Sequence, residues 1–384
     1  MFFLVTLAVT LTSSWIFFLW AVAAFPWLQT RKRGVAVALA ALCSIPPGAR
    51  WFVVHWHSQL ASDVQTLCSM VLVAMVFASV PIALLHVGLH RAKSRPRSME
   101  PPPEQAGISR RQVVEGAAGV ALLASSGSML GWGMAYGRHQ FELCEIAVRI
   151  PGLPRALDGY VIAQVSDIHV GAHVGERELN EGLALVRRAR PDLIAVTGDL
   201  VDFEPEATRL AARKLVDVAP RDGVVATLGN HDYYAGADGV LSALRAAGVI
   251  ALVDEGRVMR AADAGGFALL GVDDKASRGY GRSGPRLERA LVMVPRELPR
   301  ILLSHQPTTV NLWPGKVALQ LSGHTHGGQI NPASRTVNLL FEYLAGTYSV
   351  GGTTLYVNRG FGTVGPPARV GAPPEVTRIV LVAA

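Results

Sequence analysis

Carboxylate, amide and imidazole side chains recur in five short motifs along the C-terminal two thirds of the chain. The motifs are Asp167-x-His169, Gly198-Asp199, Gly229-Asn230-His231-Asp232, His305, and Gly323-His324-x-His326. Oxygen and neutral imidazole ligands without thiolates suit Mn²⁺, Fe or Zn²⁺. Glycines beside most of the motifs permit tight turns and close approach of a phosphate to the backbone. These residue types therefore predict a metal site that works on an oxyanion.

The spacing within the motifs gives neighbouring ligands a common direction. Residues two apart on an extended chain face the same way, so Asp167 and His169 can hold one ion together. By the same argument His324 and His326 point toward one cluster. Asp199 has two carboxylate oxygens and is a natural bridge between two ions roughly 3.5–4 Å apart. The pattern favours a pair of metal ions.

Each motif alone also has an ordinary structural interpretation. An Asp-x-His pair occurs by chance, Gly-Asp is common in turns, and Asn230-His231-Asp232 is a reasonable helix cap. The conjunction favours function, because all five motifs follow predicted strands. The other six histidines are interpreted as solvated or structural, and they are His55, His57, His86, His90, His139 and His173.

Short apolar runs alternate with amphipathic stretches from about residue 158. Early β–α alternation followed mostly by strands predicts a layered α/β domain, in which ligands gather beyond the carboxyl ends of the strands. The predicted strands are 160–165, 193–196, 224–228, 250–253, 267–270, 301–303, 317–321, 354–357 and 377–381, with helices over 176–190, 206–218 and 237–247.

Taken together, the motifs resemble the signature of the calcineurin-like metallophosphoesterases, from about residue 155 to the C-terminus. Further segments resemble a membrane-associated bacterial branch of that family: Gly271-Val272-Asp273-Asp274, Gly327-Gly328-Gln329, 358–362 and 373–375. The family implies a four-layer αββα sandwich that carries two divalent metal ions (Mn, Fe or Zn) at its edge. Several predicted spans distinguish this chain from the simplest members, which have one leader segment.

The resemblance also implies a role for each motif residue. A hydroxide between the two ions would be the nucleophile. Asn230 and His231 would bind the phosphate, and His231 would protonate the leaving alkoxide. Asp232 would orient that imidazole or cap a helix, while Asp202 and Asp273–Asp274 have a weaker claim as loop residues. The implied ligands are Asp167, His169 and His326 for the first ion, Asn230, His305 and His324 for the second, and Asp199 for both.

Charge is distributed unevenly along the 384 residues, which are 50% hydrophobic and carry a formal net charge of +7. Residues 1–137 hold a net charge of +6, and residues 138–384 hold +1. The basic excess therefore belongs to the apolar N-terminal part, and no nucleic-acid partner is expected. Cys43, Cys68 and Cys144 lie in separate settings and predict neither a disulfide framework nor a cysteine-based zinc site.

Residues 1–137 are predicted to form an α-helical transmembrane anchor with about four apolar segments and a basic linker over 91–111. Residues 138–157 are the expected connector, and 158–384 the metallophosphoesterase domain. The segment 34–56 is doubtful as a span, because it contains Pro46, Pro47 and Arg50. The basic clusters fall on one side of four spans, as cytoplasmic residues do. We therefore expect a multi-pass protein of the bacterial cytoplasmic membrane, with its catalytic domain on the extracytoplasmic side.

Arg110-Arg111 precedes the last apolar run and has two interpretations. Twin arginines before a modestly apolar segment are typical of a signal for the twin-arginine export machinery, which would then be a partner. Two arginines also commonly flank a helix on its cytoplasmic side. Both interpretations give the same orientation.

The leading hypothesis is a membrane-anchored phosphoesterase with two metals, a phosphodiesterase in preference, whose substrate is lipid-linked or envelope-derived. An alternative is hydrolysis of UDP-2,3-diacylglucosamine at its pyrophosphate in lipid A synthesis, although that substrate is expected on the cytoplasmic face. A non-catalytic metal-binding receptor or scaffold is a different class, against which the complete ligand set argues. A transporter lacks support, because the predicted spans carry no carboxylate or lysine between their flanks.

Overall fold

The computed structural model describes residues 2–56, 59–91, 108–171, 173–260, 265–332 and 341–384. The chain divides into two compact units, Met1–Trp132 and Gly133–Ala384. The first is helical, and the second contains two β-sheets.

The helical unit contains α1 Phe2–Ala24, α2 Pro26–Gln29, α3 Lys32–Trp56, α4 Gln59–Arg91 and the start of α5 Arg110–Ala135. Among the described residues, three helical stretches are long and apolar enough to cross a membrane: Thr6–Ala24, Leu60–Leu89 and Arg110–His139. The doubtful segment 34–56 lies in α3, which contains Pro46 and Pro47 and is not one of the three. Three of the about four predicted spans thus correspond to apolar helices among the described residues, and the fourth stays a prediction. The linker residues 92–107 lie outside the described residues.

Glu115 lies inside the third of these stretches, directly before the apolar run 116–137 that the sequence predicts as a span. Its side chain is buried and contacts the His86 ring of α4. The Nε of Arg111 lies 3.8 Å from the same carboxylate, and the Trp20 indole donates a hydrogen bond to the Glu115 carbonyl at 3.1 Å. A paired carboxylate is tolerated in an apolar bundle where an unpaired one is costly.

Two six-stranded sheets form the framework of the second unit. Within each sheet, four strands run parallel to one another. The first sheet has the order β1 Glu142–Ile150, β12 Glu375–Ala383, β2 Val161–Val165, β3 Leu193–Thr197, β4 Val224–Thr227, β5 Ile250–Ala251. The second has the order β10 Gly346–Val350, β11 Thr353–Val357, β9 Leu319–Ser322, β8 Arg300–Leu303, β7 Phe267–Gly271, β6 Glu255–Met259.

Successive side chains of a strand point to opposite faces of the sheet, and both faces are buried here. In β2, Ile162 lies in a buried cluster that also contains Ile301 of β8 in the second sheet, while Ala163 lies in the cluster that the helices share. The sheets thus pack face to face. Helices cover both outer faces. The first sheet is covered by α6 Glu176–Ala189, α7 Thr208–Val216, α8 Asn230–Ala235 and α9 Ala237–Ala246, and the second sheet by α10 Leu287–Leu291. The predicted four-layer α/β architecture is confirmed.

The stretch predicted as a connector, 138–157, contains a strand. Its residues Glu142–Ile150 form β1, which pairs in parallel with β12 from Glu142 opposite Glu375 to Ile150 opposite Ala383. As an edge strand, β1 is exposed along part of its length, and its charged residues conceal the strand pattern. The connector prediction is wrong for these nine residues. Strands β6 and β10 were also not predicted.

Candidate functional site

The chemistry-bearing motifs meet at one edge of the two sheets. Each follows the carboxyl end of a parallel strand, where backbone groups leave the ladder and side chains turn toward the edge. The strands and their motifs are β2 with Asp167 and His169, β3 with Asp199, β4 with Asn230, β8 with His305, and β9 with His324 and His326. All of these residues are buried except His324, which is partly exposed.

A left-handed backbone is common to five of the expected ligands. Their φ angles lie between 51° and 74°, a region that residues other than glycine rarely adopt. Strain of this kind persists only where the surrounding structure enforces it, typically at functional sites. The five residues are Asp167, His169, Asp199, His324 and His326.

Two glycines let these loops approach each other. A Cβ at Gly229 would lie 2.1 Å from Oδ1 of Asp199, and one at Gly323 would lie 2.1 Å from Oδ2 of Asp167. Any side chain at either position would displace a carboxylate. The glycine of each motif is thus needed for packing against a ligand of another motif.

The first group of expected ligands comprises Asp167, His169 and His326. The Nε2 atoms of the two imidazoles lie 3.1 Å apart. Nε2 of His326 is 3.4 Å, and that of His169 is 4.0 Å, from Oδ1 of Asp167. Three ligand atoms that converge within 4.8 Å of one another are able to hold one metal ion.

The second group is centred on His305. Its Nε2 lies 3.1 Å from Oδ1 of Asn230, 3.1 Å from Nδ1 of His324 and 3.2 Å from Oδ2 of Asp199. The same Asp199 oxygen is 3.7 Å from Nε2 of His169 in the first group. The structure therefore brings all seven expected ligands together, with Asp199 between the two groups.

Burial keeps three of the imidazoles neutral. It lowers the pKa of His169 to about 4 and that of His324 to about 3. Burial, with the Arg369 cation nearby, also lowers the pKa of His326 well below its usual range. A metal ion binds the neutral form of histidine, so these side chains are in the state that coordination requires.

Asp199 and His305 behave as an ion pair. Burial opposes charge on both groups, but their contact outweighs it, so the pKa of Asp199 is lowered and that of His305 is raised. Burial raises the pKa of Asp167 to about 6. An ion held by His305 would need the neutral imidazole, so its binding would compete with that proton.

Asp232 does not serve the role expected of it. Its Oδ2 accepts a hydrogen bond from the Gly229 N–H at 2.8 Å, and its Oδ1 accepts from the N–H groups of Leu200 and Val201 at 2.9 Å and 3.4 Å. The side chain therefore caps α8 and ties it to the loop after β3. The expectation that Asp232 orients the imidazole is wrong, and the helix-cap interpretation is correct.

Asp202 takes the position beside His231 instead. Nδ1 of His231 lies 3.0 Å from Oδ1 of Asp202 and 3.2 Å from its backbone carbonyl. Burial opposes the charge on His231, but the carboxylates of Asp199 and Asp202 outweigh it and raise its pKa. Nδ1 of His169 is 3.9 Å from the same Asp202 oxygen. Asp202 thus fixes the orientation of the His231 ring.

Arg369 is a site-supporting residue that the sequence did not indicate. It is only 1% exposed. Its guanidinium donates to the carbonyls of Gly360, Gly362 and His326, and its Nη2 lies 3.2 Å from Nδ1 of His326. Gly362 in turn donates a backbone hydrogen bond to the Asp167 carbonyl at 2.7 Å. Arg369 therefore clamps the loops that carry Asp167 and His326.

Asp273 and Asp274 are loop residues. Asp273 accepts hydrogen bonds from the Tyr233 hydroxyl and from the Asp274 N–H. Asp274 accepts from the Ala276 N–H at 2.7 Å and from the Gln306 amide at 3.0 Å. Both carboxylates stabilise the segment beside the site.

A four-layer sandwich with carboxylate, amide and imidazole ligands gathered at its strand ends defines a metal-dependent hydrolase. The family model described as calcineurin-like phosphoesterase matches residues 160–328. The chain is 32% identical to metallophosphoesterase YkuE of Bacillus subtilis, covering 71% of this chain and 98% of that protein. This chain belongs to the calcineurin-like metallophosphoesterase family, and it is a hydrolase of phosphate esters.

Two further relatives bear on the N-terminal unit and on the domain. A transmembrane protein with metallophosphoesterase domain from Danio rerio is 32% identical, covering 85% of this chain and 74% of its own. A metallophosphoesterase of Campylobacter jejuni is 36% identical to this chain, and the match covers 61% of this chain and 62% of that protein. The transmembrane relative and the three apolar helices indicate that this chain associates with a membrane.

Proposed function

We propose that this chain is a membrane-anchored phosphodiesterase that uses two divalent ions. The position of Asp199 between the two ligand groups, with Oδ2 at 3.2 Å from His305 and 3.7 Å from His169, is the observation that carries the proposal. The residue types suit Mn²⁺, Fe or Zn²⁺. When bound, the ions supply positive charge for the phosphoryl oxygens and lower the pKa of the attacking water.

The protein's own groups complete the reaction. The Asp202 contact occupies Nδ1 of His231, which leaves Nε2 to hold the proton that the leaving oxygen takes. Asn230, 3.1 Å from His305, is placed to bind the phosphate or an ion beside it. His231 is 8% exposed, so the proton transfer takes place largely shielded from bulk water.

The substrate that we propose is a lipid-linked or envelope-derived phosphodiester. The three apolar helices tether the domain to the bilayer, which keeps a membrane-bound substrate within reach of the site.

The UDP-2,3-diacylglucosamine alternative requires the domain on the cytoplasmic side. Arg110-Arg111 remains a candidate signal for the twin-arginine machinery or a cytoplasmic helix flank.

The purified full-length protein, loaded with Mn²⁺, is expected to hydrolyse bis-p-nitrophenyl phosphate, because this diester needs only the two-metal centre and a good leaving group. Release of p-nitrophenol before and after chelation with EDTA measures the activity. Metal-loaded protein that binds phosphate esters but turns none of them over would contradict the proposal and favour the receptor or scaffold.

Fusion of a reporter after residue 140 is expected to give alkaline phosphatase activity, which requires export, and no fluorescence from a protein that matures only in the cytoplasm. The reason is that Arg110 and Arg111 begin the last span and should stay on the cytoplasmic side. A fusion after residue 109, before that span, is the matched control and should reverse both signals. The opposite pattern would place the domain in the cytoplasm and favour the UDP-lipid alternative.

Asp202→Asn is expected to move the alkaline limb of the pH–rate profile to lower pH, measured with an alkyl phosphodiester. The Asp202 carboxylate raises the pKa of His231, so its loss lowers that pKa, and the protonated acid disappears at a lower pH. Asp232→Asn is the matched control, since Asp232 accepts hydrogen bonds from backbone N–H groups. The alkaline limb of the pH–rate profile of this variant should lie at the same pH as that of the wild type. A shift in Asp232→Asn with none in Asp202→Asn would reverse the two roles.

A further inference from the structure

Two partly exposed aromatic rings lie beside the histidine that the proposed reaction uses as its acid, and a third packs on the residue that precedes one of them. Phe203 comes from the loop after β3, Tyr234 from α8, and Tyr280 from the 3₁₀ turn Lys275–Tyr280. The ring centroids of Phe203 and Tyr234 lie 5.4 Å and 5.0 Å from that of His231. We call Phe203, Tyr234 and Tyr280 the aromatic rim.

The rim is held in place by buried groups. Tyr280 packs against Tyr233 with ring centroids 5.5 Å apart, and Tyr233 is only 2% exposed and hydrogen-bonded to Asp273. Tyr234 follows Tyr233 directly in α8. Even so, 46% of Tyr234 and 54% of Tyr280 remain exposed. Fixed aromatic rings with open surface are typical of a binding site.

The direction of His231 relates the rim to one end of the substrate. Asp202 occupies its Nδ1, so Nε2 is the atom that meets the leaving oxygen. The atoms attached to that oxygen must then lie beside His231, where Phe203 and Tyr234 are its aromatic neighbours. The rim is therefore placed at the leaving-group end of the site.

We propose that the aromatic rim is the leaving-group subsite and that it takes a flat π ring, such as a nucleobase or an aryl group. The inference rests on the proposed phosphodiesterase and deepens it. Aromatic side chains stack on planar rings with little dependence on the identity of the base. An acyl chain would gain less from these rings, because it has no π face to stack on them.

Two diesters that differ only in the base test the subsite: methyl uridine 5′-phosphate and methyl ribose 5-phosphate. Both release the same kind of primary alcohol, so the ratio of their kcat/KM values measures what the base contributes. The full-length, metal-loaded protein is expected to prefer the nucleotide about tenfold, the usual effect of one stacked base. It should release uridine and methyl phosphate, which identifies the nucleoside as the leaving group.

Phe203→Leu and Tyr234→Leu are expected to bring that ratio toward one. The ratio cancels any general loss of activity that either variant causes. Tyr343→Leu is the matched control, because Tyr343 packs on Tyr348 with ring centroids 5.1 Å apart and belongs to another cluster; its ratio should equal that of the wild type.

Equal kcat/KM for the two diesters, a ratio unchanged in both rim variants, or release of uridine monophosphate would overturn the subsite. A lyso-phospholipid diester that is turned over faster than the nucleotide would show that the rim takes acyl chains, which also overturns it. Hydrolysis of bis-p-nitrophenyl phosphate is measured in the same preparation. If that activity is present while the base preference is absent, only the subsite is contradicted and the proposed phosphodiesterase activity stands. Loss of that activity too would contradict the proposed function.

Discussion

Asp199→Ala is expected to lower kcat/KM for bis-p-nitrophenyl phosphate by about 10³-fold or more and to reduce the metal content. The Asp199 carboxylate belongs to both groups of candidate ligands, with His169 and His231 on one side and His305 and His324 on the other. Removing it would take one carboxylate from both groups of candidate ligands and would leave buried imidazoles facing each other. A loss of several kcal/mol in transition-state stabilisation follows, and each 1.36 kcal/mol is a factor of ten.

The effect on metal content separates this role from a merely structural one. Asp199 also accepts a hydrogen bond from the His231 N–H at 2.7 Å, so Asp199→Asn, which keeps an acceptor oxygen, serves as the matched variant. It should fold normally and still lose metal and activity, because the charge is gone. Asp217→Asn, at an exposed carboxylate after α7, is the control and should keep both. Full metal content and full activity in Asp199→Ala would contradict the two-metal proposal.

The sequence predicts the site well where ligands are local to strands. Asp167-x-His169 follows an apolar run that forms β2, and Gly198-Asp199 follows one that forms β3. Because parallel strands end at a common edge, the order of motifs along the chain is enough to gather the ligands. The αββα layers follow from the same alternation of strands and helices.

The roles of Asp202 and Asp232 show where such reasoning fails. Asp232 follows His231 directly, which suggests a paired function. However, successive residues of a helix point about 100° apart, and Asn230 begins α8. Asp232 therefore faces the backbone of Leu200, while Asp202 reaches the His231 ring from a loop 29 residues earlier. Only the tertiary packing of two loops supplies that contact.

Polar contacts between residues that are far apart in the chain also could not be predicted from the sequence. Arg369 lies 43 residues from His326 yet donates to its carbonyl, and a lone arginine in a glycine- and proline-rich stretch has no distinguishing pattern. Glu115 in the membrane unit is paired with His86, 29 residues earlier. In both cases a buried charge is stabilised by partners from another element, a property of the fold and not of local spacing.

His231→Gln is expected to lower kcat for an alkyl phosphodiester by about 10²–10⁴-fold, the usual contribution of a general acid, while the metal content stays near that of the wild type. The loss should be much smaller for bis-p-nitrophenyl phosphate, since p-nitrophenolate leaves readily without a proton. The raised pKa of His231 means that its proton persists to higher pH than usual. Wild-type kcat should therefore be full below that pKa and fall as pH rises through it.

In His231→Gln this alkaline limb should disappear, because no group remains whose deprotonation removes the acid. The metal content is the decisive companion measurement, since His231 also lies within ligand distance of His169 and Asp199. An equal loss of activity on both diesters together with a loss of metal would show that His231 is a ligand rather than an acid. Retained metal with a loss that depends on the leaving group is the result that only a proton donor produces, because a ligand acts on every substrate alike.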